Sequence, residues 1–213
     1  MTDFQIPNPL IINEKYLIKY FEHFDSLFKK KKDLRVLLAF SGGSDSILLL
    51  FLLLRYFEGN NRVINVAYIN HNIRNDSFKD EAFVKKVGLE LGINTYIRQL
   101  NPKLKSSKES IESWARKERY KLLSEILIES NSNVILTGHH KNDQVETILK
   151  NISEKTGLFG LSGMKSINKN VIRPLLPFTK SELMKIIDKY KIPYVHDASN
   201  NELRFKRNFI RKK

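Results

Sequence analysis

The residues that decide the fold are Leu34-Arg-Val-Leu-Leu-Ala-Phe40, followed directly by Ser41-Gly-Gly-Ser-Asp-Ser46. The first seven form a short, nearly continuous apolar run, which is typical of a strand covered on both faces. The next six are small and polar, and an apolar segment of helical character extends over residues 44–57. The stretch therefore predicts a buried strand, a tight Gly-rich loop and a helix.

The same alternation of strand and helix continues downstream. Strands are predicted at 62–70, 94–100 and 133–137, and helices at 78–91, at about 106–130 with a capping box of Ser106 and Glu109, and at 141–152. Strands separated by helices pair in parallel through right-handed crossovers. We therefore predict an α/β fold, an open parallel sheet with helices on both faces. Its ligand is expected beyond the carboxyl ends of the strands, at the switch point in strand order.

Two further segments flank this core. Residues 13–30 place aromatic and aliphatic side chains on one helical stripe, which predicts a helix docked on the sheet layer. After Gly157 glycines interrupt the pattern, and the rigid stretch Arg173-Pro-Leu-Leu-Pro177 precedes a helix with a capping box of Thr179 and Glu182. We divide the chain into an N-terminal helix and link (1–33), a core (34–155) and a remainder with a basic C-terminal extension (156–213).

Composition limits the chemistry. Lys and Arg number 37 against 23 Asp and Glu, which leaves a formal net charge of +14, and such a surface attracts polyanions such as nucleic acids. The absence of cysteine excludes disulfides, cysteine-ligated zinc or iron–sulfur clusters and a thiol nucleophile within these residues. The sequence shows neither an apolar run of membrane-spanning length nor a secretion signal, so a soluble cytoplasmic protein is expected.

The Gly-rich loop has the chemistry of a phosphate site. Gly42 and Gly43 can adopt positive φ and let the backbone approach a ligand, while the following helix points unpaired N–H groups at the loop. The serine hydroxyls can donate to phosphate oxygens, and Asp45, which would repel bare phosphate, indicates a bridging Mg²⁺. No Gly-Lys-Ser/Thr follows, so this is not a Walker loop. The alternative is an ordinary Gly-rich turn capped by serine.

Two pairs of charged side chains are spaced to share a helix face. Asp143 and Glu146, at i and i+3 near a helix start, can hold Mg²⁺ or receive an ammonium group, although such carboxylates also commonly cap a helix. Arg116 and Arg119 have the same spacing and suit bidentate phosphate contacts. The alternative for this arginine pair is a solvated face of a basic protein.

The loop Ser41-Gly-Gly-Ser-Asp-Ser46 resembles the signature of the PP-loop pyrophosphatases, which cleave ATP between the α- and β-phosphates. An ordered set of further segments is similar to the tRNA(Ile)-lysidine synthetase branch of that family, over roughly residues 34–211. These segments are Asn70-His-Asn-Ile-Arg74, Ala115-Arg-Lys-Glu-Arg-Tyr120, Gly138-His-His-Lys-Asn-Asp-Gln-Val-Glu-Thr147, Gly157-Leu-Phe-Gly-Leu161, Arg173-Pro-Leu-Leu176, Asp197-Ala-Ser-Asn200 and Arg207-Asn-Phe-Ile-Arg211.

The resemblance implies an adenine nucleotide alpha hydrolase-like sandwich and a tRNA-modifying ligase with ATP and Mg²⁺ as cofactors. Such an enzyme adenylates the C2 oxygen of the first-anticodon cytidine of an isoleucine tRNA with a CAU anticodon. Free L-lysine then displaces AMP to form lysidine. No membrane partner is implied, and the oligomeric state stays open, a homodimer included.

Carried onto this sequence, the resemblance also implies the residues of the site. Catalytic roles fall to Asp45, Asp143, Glu146 and Arg116. Mg²⁺ is expected to be bound by Asp45 and Asp143, and tRNA or phosphate by Arg173, Arg207 and Arg211. The residues expected to bind the nucleotide are Ser41, Gly42, Gly43, Ser44, Asp45, Ser46, His71, Arg74, Arg119 and His140. Whether Asp143 and Glu146 serve the metal or lysine stays open.

Two departures from the family pattern keep alternatives open. The family usually has Asp-Asp where this chain has Asn142-Asp143, and larger members carry C-terminal domains that grip the tRNA, whereas these residues end at Lys213. The chain is expected to be either a minimal form or a fragment. Another PP-loop ATP pyrophosphatase and a non-catalytic ATP- or RNA-binding fragment are the competing hypotheses.

Overall fold

The computed structural model describes residues 5–28, 33–60, 62–72, 77–153 and 162–195. The helices are α1 (Ile18–Phe28), α2 (Ser44–Tyr56), α3 (Ser77–Glu90), α4 (Ile111–Glu129), α5 (Lys141–Ser153) and α6 (Lys180–Tyr190). The strands are β1 (Arg35–Ala39), β2 (Val63–Asn70), β3 (Thr95–Gln99), β4 (Val134–Thr137), β5 (Ile167–Asn168) and β6 (Val171–Ile172).

Within the described residues the strands form one sheet in the order β3-β2-β1-β4-β6-β5. β1 pairs in parallel with both β2 and β4, β2 with β3, and β4 with β6, while β5 is antiparallel to β6 at the edge. The chain leaves β1 toward β2 and β3 on one side and returns to β4 on the other. The switch point therefore lies between β1 and β4, and the predicted parallel α/β sheet is confirmed.

The side-chain alternation along β1 divides the core between two faces. Val36 and Leu38 join a buried cluster that contains side chains of α1, α2, α3 and α6, whereas Leu37 joins a separate cluster with α4. Ile47–Leu53 of α2 are fully buried. A helix that is apolar on all sides is stable only when it is covered on all sides. The sheet and the neighbouring helices hold α2 in this way, and its N-terminus follows the Gly-rich loop.

The N-terminal helix docks on this layer as predicted, because Tyr20, Phe24 and Phe28 are buried on one stripe. It begins at Ile18, however, and not at Asn13. The Asn13 side chain accepts a hydrogen bond from the backbone N–H of Lys15 at 3.1 Å, and a 3-10 turn follows at Glu14–Tyr16. Such local side-chain bonds compete with the helical pattern, which delays the helix start.

The two predicted capping boxes have different outcomes. The Thr179 and Glu182 box is confirmed in both of its hydrogen bonds at the start of α6. The Ser106 and Glu109 box is wrong, because α4 begins at Ile111 and Ser110 accepts the bond from Ser113 N–H at 3.2 Å. The edge strands β5 and β6, with two residues each, were not predicted, since such short segments show no periodicity.

Within the described part of the chain, no helix combines the length and the apolar character needed to cross a membrane.

Candidate functional site at the switch point

The loop between β1 and α2 has a conformation that requires glycine. Gly42 has φ of +77°, and a Cβ at this position would lie 3.1 Å from Phe83 Cδ1 and 3.1 Å from Val195 Cγ2. The carbonyl of Gly42 accepts a hydrogen bond from Val195 N–H at 2.9 Å. The chain that follows α6 is thus anchored directly on the loop.

Serine hydroxyls hold the shape of this loop. The buried Ser46 Oγ donates to the carbonyl of Gly43 at 2.9 Å and accepts from the Ser41 N–H at 3.3 Å, and Ser41 Oγ accepts from the Gly43 N–H at 3.3 Å. Gly43 is the N-cap of α2 and supplies no side-chain cap. The first N–H groups of α2 are therefore open to an anionic ligand, as the prediction of a phosphate loop requires.

The loop after β4 packs closely against the start of α2. A Cβ at Gly138 would lie 3.2 Å from Asp45 C and 3.2 Å from Ser46 N, which are backbone atoms that cannot easily move aside. Glycine at this position therefore allows the two loops at the switch point to approach one another. The predicted residues of the two loops meet as a result.

His140 lies between two of the predicted carboxylates. Its buried ring places Nε2 3.6 Å from Asp45 Oδ2 and Nδ1 3.4 Å from Asp143 Oδ2. The backbone N–H of Asp143 also donates to Nδ1 at 3.4 Å, and Nε2 faces Asp45. Asp143 Oδ2 also accepts the His140 N–H at 2.9 Å and thereby caps its own helix, α5. Asp143 therefore caps α5, as the alternative to a functional role predicted, and it also lies beside the His140 ring.

Sequence reasoning missed Lys180, the first residue of α6. Its ammonium donates to Ser44 Oγ and to Asp45 Oδ1, each at 2.6 Å. Two contacts bring α6 to this place: the Lys141 N–H donates to the carbonyl of Phe178 at 2.8 Å, and the Lys180 N–H donates to Asn142 Oδ1 at 3.0 Å. No local pattern marks Lys180, because it lies 135 residues from Asp45 in the sequence.

The sequence predicts that Asp45 and Asp143 bind Mg²⁺. Among the described ranges, no group of three or more His, Cys, Asp or Glu side chains is arranged to hold a metal ion. Mg²⁺ in nucleotide sites is commonly held by one or two carboxylates together with phosphate oxygens and water. Asp45 and Asp143 lie at opposite nitrogens of the His140 ring, so their joint binding of one Mg²⁺ stays a prediction. The pairing of Asp45 with Lys180 also supplies a cation from within the chain, which the sequence argument for Mg²⁺ did not include.

The other predicted residues lie on several different elements. Glu146 is buried on α5, and His71 is half-buried directly after β2. The guanidinium carbons of Arg116 and Arg119 lie 5.4 Å and 5.6 Å from the centroid of the Tyr120 ring. Both arginines belong to α4, which packs on the opposite face of the sheet from α2. Their contact with phosphate therefore stays a prediction.

Arg173 follows β6 and is buried. Its Nη1 donates to the carbonyl of Lys165 at 2.8 Å, and within the described residues its Nε has no hydrogen-bond partner. Three other predicted residues, Arg74, Arg207 and Arg211, lie outside the described residues.

Gln144 of α5 is a second residue to which the sequence analysis gave no role. Its Oε1 accepts the Met164 N–H at 2.6 Å, and its Nε2 donates to the Met164 carbonyl at 3.0 Å. Gly163, beside this clamp, has φ of +62°, a conformation that favours glycine, and a Cβ there would lie 2.7 Å from the Gln144 amide nitrogen. The clamp fixes the chain before β5 against the helix that carries Asp143 and Glu146.

Known proteins share much of this sequence. A family model described as a PP-loop domain matches residues 17–213. The tRNA(Ile)-lysidine synthase of Thermosipho africanus is 40% identical over 206 residues, which are 96% of this chain and 47% of that protein. The tRNA(Ile)-lysidine synthase of Chlorobaculum tepidum is 38% identical over 179 residues, 83% of this chain and 54% of the relative. The chain thus spans about half the length of these curated relatives.

Solved structures share the fold. The U34-tRNA thiolase NcsA from Methanococcus maripaludis superposes with a TM-score of 0.76 at 18% identity, over 93% of this chain and 71% of the thiolase. The NH3-dependent NAD synthetase from Campylobacter jejuni superposes with a TM-score of 0.57 at 17% identity, over 84% of this chain and 73% of the synthetase. At these identities the likeness concerns the fold alone.

Proposed function

We propose, from the premise that this chain belongs to the PP-loop domain family, that it carries the ATP-dependent chemistry of a tRNA(Ile)-lysidine synthetase. In this reaction ATP adenylates the C2 oxygen of the first-anticodon cytidine of an isoleucine tRNA, and pyrophosphate is released. The amine of free L-lysine then replaces AMP. The observation that carries the proposal is the meeting of the Ser41–Ser46 loop with His140 and Asp143 at the switch point.

The chain's own groups account for nucleotide binding. The uncapped N-terminus of α2 presents N–H groups and the positive end of the helix dipole, and Gly42 and Gly43 allow phosphate to approach the backbone. Mg²⁺ held by Asp45 and Asp143 would supply neutralisation of charge on the departing diphosphate. Fixed donors aimed at that charge lower the barrier without reorganisation during the reaction.

The second step needs a positioned amine and a proton acceptor. Lysine attacks as the neutral amine, so a carboxylate near the adenylated cytidine has to take up a proton. Asp45, Asp143 and Glu146 are the candidates, and the latter two lie one helical turn apart on α5. No covalent enzyme intermediate is required, because positioning and charge stabilisation supply most of the rate enhancement.

The charge of the chain supports an RNA substrate. Its formal net charge of +14 favours association with a polyanion, and binding should weaken steeply as salt concentration rises. We propose Arg173, Arg207 and Arg211 as contacts to phosphate or to the tRNA backbone, with an isoleucine tRNA of CAU anticodon as the partner.

Another reaction on the same fold is the second candidate. The solved relative NcsA is described as a tRNA thiolase with a [4Fe-4S] cluster, and its fold matches this chain closely. These 213 residues contain no cysteine to ligate such a cluster or to carry sulfur, which favours lysine as the incoming group. A binding module without catalysis is disfavoured because Asp45, Asp143 and Glu146 are all retained.

The test is mass analysis of isoleucine tRNA after incubation with the protein, ATP, Mg²⁺ and isotopically labelled lysine. We expect one lysine to be incorporated at the anticodon cytidine, together with AMP and pyrophosphate. An ATP–pyrophosphate exchange that depends on tRNA should accompany it. Exchange without lysine incorporation would point to a different PP-loop reaction. If the protein showed neither exchange nor incorporation, a binding role alone would remain.

A further inference from the structure

Lys180 lies in the phosphate site although it belongs to a different part of the chain. Its side chain extends from the first turn of α6 to the first turn of α2, where Nζ is 2.6 Å from Ser44 Oγ and 2.6 Å from Asp45 Oδ1. The side chain remains about one-third exposed, at 35%, so a ligand can reach the ammonium. The contact is therefore open to the site and not enclosed in the core.

Three features fix the helix start that carries Lys180. Asn142 Oδ1 accepts the Lys180 backbone N–H at 3.0 Å, and the capping box of Thr179 and Glu182 closes the first turn of α6. Phe178, directly before this box, accepts the N–H of Lys141 at the start of α5. The first turn of α6 is thus tied to α5, and the ammonium occupies a defined position before any ligand binds.

The electrostatics of the loop require a cation at this place. Asp45 brings a carboxylate to the same helix terminus that is open to phosphate, and a bare carboxylate there would repel the ligand. The Lys180 ammonium, in direct contact with it, offsets that charge. A lysine ammonium has three N–H donors, and within the described residues Ser44 and Asp45 take two of them. One donor remains for a third acceptor.

We propose that Lys180 is a further phosphate-binding residue of the nucleotide site, which donates its remaining N–H to an oxygen of the departing diphosphate. The proposal rests on the ATP chemistry proposed above and adds to it a residue that local sequence patterns do not indicate. Negative charge grows on the diphosphate as the bond to the α-phosphate breaks, so this contact strengthens toward the transition state.

The experiment compares two ligands by isothermal titration calorimetry in the presence of Mg²⁺. The first is α,β-methylene-ATP, which keeps the triphosphate and cannot be cleaved at the relevant bond, and the second is AMP, which lacks the diphosphate. The variants are Lys180→Met and Lys180→Arg, with Lys185→Met as a matched control. Lys185 is exposed on the same helix, so its replacement removes an equal charge away from the loop.

We expect Lys180→Met to bind the triphosphate analogue about 10- to 100-fold more weakly, the usual size of one lost hydrogen bond to a charged group. AMP binding should stay within about twofold, since AMP does not reach this donor, and the control should bind both ligands nearly as the unaltered protein does. Lys180→Arg should recover part of the loss. A circular dichroism spectrum and a thermal transition close to those of the parent protein show that the fold is retained.

The outcomes separate this proposal from the proposed function. Equal weakening of AMP and the analogue by Lys180→Met would mean that the lysine only orders the loop, and unchanged affinity for both would also overturn the proposal. Either result leaves lysidine formation by the parent protein unaffected. Binding of the analogue that depends on Lys180, without lysine incorporation into tRNA, would instead retain the phosphate contact and reject the proposed reaction. Failure of the unaltered, folded protein to bind the analogue would reject both.

Discussion

The side-chain oxygen of Asn142 accepts a hydrogen bond from the backbone N–H of Lys180 at 3.0 Å. Asn142 is the residue at which this chain departs from the Asp-Asp pattern that its resemblance leads one to expect. An amide oxygen and a carboxylate oxygen can both accept this bond, so the departure retains the contact between α5 and the start of α6. The side chain is engaged with the helix start, not aimed between His140 and Asp45.

This relationship predicts different outcomes for two substitutions. Asn142→Asp keeps an acceptor and adds a negative charge at a helix N-terminus, so affinity for α,β-methylene-ATP should stay within about twofold. Asn142→Ala removes the acceptor and should lower the free energy of unfolding by about 1 kcal/mol, as for other lost caps, with weaker binding of the analogue through the displaced Lys180. Urea unfolding and calorimetry measure the two quantities. Equal behaviour of both variants would show that the contact has no role.

Gly138→Ala should separate the two loops at the switch point. The added Cβ would lie 3.2 Å from backbone atoms of Asp45 and Ser46, so the start of α2 must shift. We expect a loss of about 1–3 kcal/mol in the free energy of unfolding and at least about a tenfold loss of nucleotide affinity. Gly59→Ala is the control: its φ of +72° makes alanine unfavourable, but the Cβ meets nothing within 4 Å. If the control lost as much affinity, general destabilisation of the fold and not the contact between the two loops would be the cause.

Asp45→Ala should abolish AMP formation and leave the protein folded. The side chain contacts Lys180 and His140 at the surface of the site, and its removal leaves the buried residues of α2 in place. Without this carboxylate, the cations that stabilise the departing diphosphate are no longer held in place. Turnover should therefore fall by about 100-fold or more. Chromatography of AMP measures the effect. Asp188→Ala, at an exposed position on α6, serves as the control, and unchanged turnover in Asp45→Ala would contradict the site assignment.

Acid should weaken the start of α6 through Glu182. A hydrogen bond from Lys19, followed by the bonds from Thr179, lowers the pKa of this carboxyl from 4.5 to about 2. Because the folded-state pKa is depressed, the stabilisation is complete above about pH 4.5 and is lost as the pH falls toward 2. Urea unfolding of the parent protein and of Glu182→Gln should therefore converge between these values. Glu125→Gln, at an exposed carboxyl on α4, serves as the control, and the same convergence in that variant would contradict the assignment to Glu182.

Local signals in the sequence determined the alternation of strands and helices, the Gly-rich loop at the end of β1 and the capping box of α6. Each of these depends on residues that are neighbours in the chain, through side-chain periodicity, turn chemistry or a bond that spans three positions. The carboxyl ends of the strands as the place of the site followed as well, because parallel strands bring these ends to one edge of the sheet. The strand order that puts the switch point between β1 and β4 was not predicted.

The tertiary structure alone decided the partners of the site. It placed His140 between Asp45 and Asp143, brought Lys180 to the loop and turned Asn142 toward α6. It also decided which of two nearby serines caps α4 and where the short edge strands form. The physical reason is distance along the chain: packing of helices on the sheet determines which side chains meet across more than a hundred residues, and no local pattern carries that information.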